Sequence, residues 1–443
     1  MGSKKQAVLL IHGVGFQRPM RTLRGFVDAV WVSDTSLRWD KVPAEAWSKP
    51  DTISESFELR RLTTSQNKNG VRTDFFEFYW AHLMQGTTLE QIAQWLRSLL
   101  LRNPARIPKP LRAAYVIVWI ALLGIFAASW NAALPDGQRW WDTQPMLSAL
   151  ASILLLPALV WVLREYVGDA AVYLDAAPAN IQRRHEIRTA GVRLLNVLHR
   201  RGYDRIIVVG HSLGSVIGYD ILKYVWASMH DKVDGEIKQS TDVLHKLEAD
   251  ALRFATADPE DRDALAQRQR DYLQELRDAG HPWRVTDFVT LGSPLTYAPF
   301  LLAADQAEYA RQIRDHELPA CLPALETQRI KGKDEQHFSF EKTWQLQDGR
   351  EVTRRVPHHA ALFAPVVWTN LYFPSCALLR GDMIGGPVAP VLGSGVRDVK
   401  LANQLRGGWL LHTHYWTRTA GEKTDPHIEA LRTAVDLGRA PGP

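Results

Sequence analysis

Gly210-His211-Ser212-Leu213-Gly214 is a G-x-S-x-G pattern that directly follows a short β-branched run, residues 206–209, and precedes a helical stretch at 213–226. A serine hydroxyl attacks a carbonyl only when a base takes its proton and fixed donors receive the charge left on the carbonyl oxygen. A tight strand-to-helix turn exposes the serine and aims a helix N-terminus at the site, which favours developing negative charge. Glycines at 210 and 214 leave room where a Cβ would collide with neighbouring backbone. The bare pattern also occurs as a plain glycine turn, but a strand before it and a helix after it are what a nucleophile elbow requires. Ser212 is the candidate nucleophile, and the N–H of Leu213, the next residue, is one candidate oxyanion donor.

Further motifs accompany the elbow. His12-Gly13-Val14-Gly15 ends the apolar run 7–11, Gly292-Ser293-Pro294 ends another, and His412-Thr413-His414-Tyr415-Trp416 lies near the C-terminus. With these residues the chain resembles the α/β-hydrolases, and more narrowly their lipase and GPI inositol-deacylase-like branch. The resemblance spans residues 6–15, 169–226, 286–299 and 367–416, and does not reach 113–163 or 230–280.

The resemblance implies a triad in the chain order serine, acid, histidine. It implies a second oxyanion donor in the His-Gly turn, with Val14 as the candidate. It places the histidine three residues before a Tyr-Trp pair, which picks His412. His414 stays open as the alternative base, because spacing alone does not tell which ring reaches Ser212. His358 and His359 precede the acid strand, break that order and fit a structural or surface role. The acid is expected after the strand 366–373. There Pro374-Ser375 leads to Cys376, departing from the family segment, and the first acid is Asp382 in Arg380-Gly381-Asp382-Met383-Ile384. Asp398, at a strand edge, is the alternative. Asp169 and Tyr173 also match a family feature.

The elements that must position these residues read as strands at 7–11, 74–80, 205–209, 284–291 and 365–373, with a short one at 396–401. Helices are expected at 183–201 and 213–226. Residues 230–280 are rich in charge with spaced leucines and read as two or three exposed helices; 305–355 resists assignment. Strands alternating with helices argue for an α/β fold with a mostly parallel sheet covered on both faces, which the resemblance makes an α/β-hydrolase fold. The domain organisation is one catalytic domain in two parts, 1–112 and 164–443, interrupted by 113–163 and carrying the helical insertion 230–280.

Residues 113–130 and 146–163 are each 18 residues without a charge. As helices each would be about 27 Å long, close to the hydrocarbon thickness of a bilayer. Trp130, Trp140 and Trp141 stand where interfacial aromatics belong. Pro157 is better tolerated in a spanning helix than in a soluble one. Arg97, Arg102, Arg106, Lys109 and Arg112 precede the first stretch, whereas the linker holds Arg139 against Asp136 and Asp142. The expectation is a transmembrane hairpin in the inner (cytoplasmic) membrane, with the catalytic domain on the cytoplasmic side. Buried helices of a large core are the alternative. Residues 88–101 read equally as an interfacial or a packed amphipathic helix. Arg183, Arg184 and Arg188 form a basic cluster, read as a solvated helix face ahead of a lipid-phosphate contact. The N-terminus does not read as a secretory signal, because the apolar run is too short.

The composition, 46% apolar and 23% charged over 443 residues, is that of a folded globular chain. Two cysteines exclude a disulfide framework and cysteine-rich metal sites. A net charge of +5 does not call for a nucleic-acid partner. With no P-loop, dinucleotide fingerprint or metal-ligand spacing, no cofactor and no metal are expected. The function expected is hydrolysis of carboxylic esters, lipid esters among them, by a membrane-anchored serine hydrolase whose partners are its substrate and the bilayer. An acyltransferase on the same triad, and a non-catalytic membrane interaction protein, remain the alternatives.

Overall fold

The structure is a computed structural model. It describes residues 4–14, 18–39, 44–54, 56–84, 97, 100–101, 103–135, 138, 173–174, 178–232, 242–254, 261–330, 332–345, 349–376, 380–403, 405–408, 411–419 and 425–439.

Among the described residues eight strands form the central sheet: β1 (Lys4–Ile11), β2 (Ala46–Pro50), β3 (Arg60–Gln66), β4 (Val71–Phe78), β5 (Arg205–His211), β6 (Val285–Leu291), β11 (Val367–Tyr372) and β12 (Arg397–Lys400), while β7 (Glu326–Ile330), β8 (Lys333–His337), β9 (Ser339–Gln345) and β10 (Glu351–Pro357) lie outside it. Their order is β12-β11-β6-β5-β1-β4-β3-β2. The six strands from β12 to β4 pair in parallel, whereas β3 and β2 run antiparallel at the edge. The fold is thus α/β with a mostly parallel sheet.

The central strands are continuous apolar runs because both faces are covered. Successive side chains point to opposite faces. Ala7, Leu9 and Ile11 of β1 pack with Ile206, Val208 and Phe288 beneath the helices Pro178–Arg200 and Leu213–Ala227. Val8 and Leu10 pack with Ile207, Val209 and Leu291 beneath Arg21–Val27 and Pro426–Val435. Truncating a fully buried side chain here, such as Leu9→Ala, costs about 2–5 kcal/mol. The connection from β4 to β5 crosses over β1, so connections leave β1 and β5 in opposite directions. That opens a crevice at their C-terminal ends, where open α/β sheets bind ligands.

The segment 230–280 differs from its reading as exposed helices. Its described part forms two helices, Asp242–Phe254 and Arg262–Asp278. Leu244, Leu247, Leu265, Leu273 and Leu276 are buried in the main core. Gln269 donates to the carbonyls of Phe363 and Val366. The spaced leucines are a core-facing stripe, and the charges lie on the opposite face except for the buried Glu248 and Asp250. Residues 305–355 contain a helix, Gln306–Arg314, and two hairpins, β7 (Glu326–Ile330) with β8 (Lys333–His337) and β9 (Ser339–Gln345) with β10 (Glu351–Pro357).

A 25-residue helix, Lys109–Ala133, covers the first charge-free stretch. Val116, Ile120, Leu123, Phe126 and Trp130 on it are exposed. The second stretch, 146–163, and most of 88–101 lie outside the described residues. Among the described residues no helix is long and apolar enough to cross a membrane; the side chains at 113, 114, 117 and 132 of this helix are not among them.

Candidate active site

Four parallel strands deliver the site from their C-terminal ends. β5 ends at His211, and Ser212 forms the turn into the helix Leu213–Ala227 with φ of 54° and ψ of −130°. This left-handed backbone on a non-glycine residue is strained. It is held by the Ser212 N–H donating to the carbonyl of Leu291 on β6 at 2.9 Å. The flanking glycines are sterically forced. A Cβ at 210 would come 2.5 Å from Ser215 Cα, and one at 214 would come 2.5 Å from the His12 carbonyl oxygen.

His412 lies in a short helical turn after β12, and Asp382 lies in the loop after β11. His412 Nε2 is 2.8 Å from Ser212 Oγ. Its Nδ1 is 3.0 and 2.9 Å from the two oxygens of Asp382. An ionised carboxylate only accepts, so the ring proton sits on Nδ1 and Nε2 is free to accept from the Ser212 hydroxyl.

Asp382 is fully buried. Burial alone would push its carboxyl up. The His412 ring and the donors around it outweigh that and hold it down at about 2. Those donors are the N–H groups of Ile384 and Gly385, at 2.8 and 2.9 Å from Oδ1, and the Tyr415 hydroxyl at 2.7 Å from Oδ2. Gly292, at the end of β6, admits this packing. Its φ is +58°, and a Cβ there would fall 2.7 Å from Asp382 Oδ2 and 3.1 Å from His412 Nδ1.

Leu213 directly follows the nucleophile, and Val14 ends the described turn after β1. Leu213 opens its helix, so its N–H has no partner within the helix. The turn after β1 lies against Ser212, since a Cβ on Gly13 would stand 2.7 Å from Ser212 Cβ. That turn is fixed by His12, which is fully buried and stacks on Trp80. Its Nδ1 lies 2.8 Å from the Gly13 carbonyl, and its Nε2 accepts from the Trp80 N–H at 3.3 Å. Burial pushes its pKa down to about 4, so the ring is neutral near pH 7.

The remaining candidates fall elsewhere. His414 Nδ1 is 3.0 Å from Thr417 Oγ1, and the base position at Ser212 belongs to His412. His358 is buried, stacked on His316 and bonded to the Ala324 carbonyl. Asp398 accepts from the N–H groups of Val388 and Ala389 and from Asn370, which makes it a loop anchor. Arg188 is not a solvated cation: it meets Asp220 at 2.6 and 2.9 Å, and Tyr173 donates to the same carboxylate at 2.8 Å. Asp169 lies outside the described residues.

Two residues beside the triad carry roles the sequence reading did not give them. Tyr415, in the sequence part of the Tyr-Trp pair that marks His412, donates to the acid and accepts from the Phe373 N–H. His211, the variable residue of the elbow, lies 2.8 Å through Nε2 from the His412 carbonyl and packs edge-on against Trp416. Burial, with His412 beside it, drives its pKa down to about 3, so it is a neutral brace for the histidine turn. Beside the acid loop, Gly385, Tyr297 and Pro374 line a cavity of about 830 Å³ whose other wall is Asn103, Arg106 and Pro108, at the foot of the helix Lys109–Ala133.

An imidazole within hydrogen-bond reach of a strained serine, backed by a buried carboxylate at the N-terminus of a helix, is equipped for nucleophilic acyl transfer. No family model, no curated protein and no solved structure matches this chain.

Proposed function

We propose that this chain is a serine hydrolase of carboxylic esters with an α/β-hydrolase fold, anchored to a membrane by residues 113–163. The observation that carries this reading is the unbroken chain of contacts from Ser212 Oγ through His412 to Asp382. The strand positions support it: the nucleophile follows β5, the acid follows β11 and the histidine follows β12, in the order that fold requires.

In this mechanism the Ser212 hydroxyl passes its proton to His412 Nε2 as Oγ bonds to the ester carbonyl carbon. Asp382 steadies the imidazolium without taking its proton. The N–H groups of Leu213 and Val14 receive the oxyanion, an interaction worth a few kcal/mol per donor, roughly 10²–10³ in rate. The tetrahedral species collapses, the alcohol leaves with the proton from Nε2, and Ser212 holds the acyl group. Water then attacks with His412 as base, and the acid product leaves with Ser212 restored.

The charge-free stretches, the basic residues before them and the exposed apolar stripe on Lys109–Ala133 support the anchor. Hydrolysis of short and long acyl esters by detergent-solubilised wild type and Ser212→Ala tests the reading. The wild type turns over and releases free acid, and the variant falls to background. Equal turnover by the two proteins refutes it. Transfer of the acyl group to an added alcohol, with no free acid, makes the chain an acyltransferase instead.

A further inference from the structure

Away from the candidate active site, two histidines and a buried glutamate converge. His245 and Glu248 stand one helical turn apart on Asp242–Phe254, and His337 ends β8. Glu248 Oε2 lies 2.9 Å from His337 Nδ1 and 3.4 Å from His245 Nδ1, and the three atoms lie within 4.8 Å of one another. Around a tetrahedral zinc ion, nitrogen and oxygen ligands stand roughly 3.4 Å apart.

The surroundings are those that metal ligands need. Glu248 is buried, and its other oxygen is occupied by the Ser339 hydroxyl at 2.6 Å and the Ser339 N–H at 3.2 Å. Oε2 is therefore turned toward the two rings. His337 Nε2 lies 3.2 Å from Glu335 Oε2. That carboxylate accepts the ring proton when Nδ1 is the ligand, which is the outer contact that fixes the tautomer of a ligating histidine. The His245 side chain is half exposed, so water reaches the site.

The geometry points to a zinc-binding site formed by His245, Glu248 and His337, which ties the helix Asp242–Phe254 to the hairpin β7–β8. Nitrogen and carboxylate donors suit zinc, with water as the fourth ligand. A metal ion bound at His337 Nδ1 takes the place of a proton on that nitrogen, while the Nε2–H donates to Glu335. This site is independent of the proposed hydrolase chemistry.

The test is zinc titration of the metal-stripped full-length protein against a chromogenic chelator, with the thermal midpoint followed in parallel. One zinc ion should bind per chain and raise the midpoint. Glu335→Gln should weaken binding roughly 10–100-fold as the loss of an outer partner does. His245→Ala should weaken it further and abolish the thermal shift, while His185→Ala on the helix Pro178–Arg200 leaves both unchanged. The exposed position of His245 lets that variant fold, which circular dichroism checks. Absence of stoichiometric binding, or binding that His245→Ala leaves intact, overturns the proposal.

Discussion

The Tyr415 hydroxyl and the His412 Nδ1 converge on one oxygen, Asp382 Oδ2, at 2.7 and 2.9 Å. The acid is thereby held from both sides, since Phe373 N–H fixes the same hydroxyl at 3.2 Å. Tyr415→Phe keeps the buried ring and removes only the donor. A hydrogen bond to a charged group is worth about 1.5–3 kcal/mol. The expected outcome is a fall in kcat of about 10-fold with a protein that still folds, read by steady-state ester hydrolysis and thermal denaturation.

Replacing the two neighbouring histidines separates them. His412→Ala removes the base and should lower kcat roughly 10⁴-fold or more. His414→Ala removes a ring that bonds to Thr417 and should leave kcat within about 3-fold of wild type. The paired rate measurements check this directly, and a reversed ranking would reassign the base.

Glu77 gives a pH-dependent prediction about stability. Its Oε2 accepts from the Met20 N–H at 2.9 Å, while Oε1 has no partner among the described residues. Burial pushes its carboxyl up to about 7. A raised folded pKa means the folded state keeps the proton that the unfolded chain releases. Its contribution is complete below about pH 4.5 and is lost as pH rises through 7. Glu77→Gln should therefore gain stability relative to wild type as pH rises from 5 to 8, by up to about 3 kcal/mol. Urea denaturation at the two pH values measures it.

Deleting residues 113–163 in favour of a short soluble linker tests the anchor. The variant should leave the membrane pellet in low-salt buffer and still hydrolyse a water-soluble short ester. Hydrolysis of a bilayer-embedded ester should fall by about 10-fold or more under the proposed anchor, because two spanning segments would bind a bilayer far more strongly than a single acyl chain. Sedimentation of the variant with membranes contradicts the anchor, and undiminished bilayer activity contradicts substrate delivery.

What the sequence made legible follows from how local each signal is. Buried parallel strands such as β1 and β5 are unbroken apolar runs, and the elbow between β5 and its helix is written in consecutive residues. Ser212 was therefore readable from its own surroundings. His412 and Asp382 are 30 residues apart, and the motif resemblance, rather than periodicity, singled them out. The antiparallel strands β2 and β3 give no apolar run in the sequence: Ala46–Pro50 has no fully buried position, and Arg60–Gln66 buries only Leu62, Thr63 and Thr64. The helices Asp242–Phe254 and Arg262–Asp278 were misplaced because their charged faces dominate the composition while their leucines turn inward. Tyr415 and His211 gained roles only through contacts across the fold, to Asp382 and to the His412 carbonyl.

The most direct measurement is covalent labelling of the intact chain by a fluorophosphonate, followed by mass mapping of the modified peptide. Attack by an activated serine on phosphorus places one adduct on Ser212, and His412→Ala should slow its formation by orders of magnitude, as loss of a triad member does. Stoichiometric labelling confined to Ser212, and abolished in Ser212→Ala, is the result this account predicts. An adduct on another residue, or labelling that persists undiminished in Ser212→Ala, would contradict it.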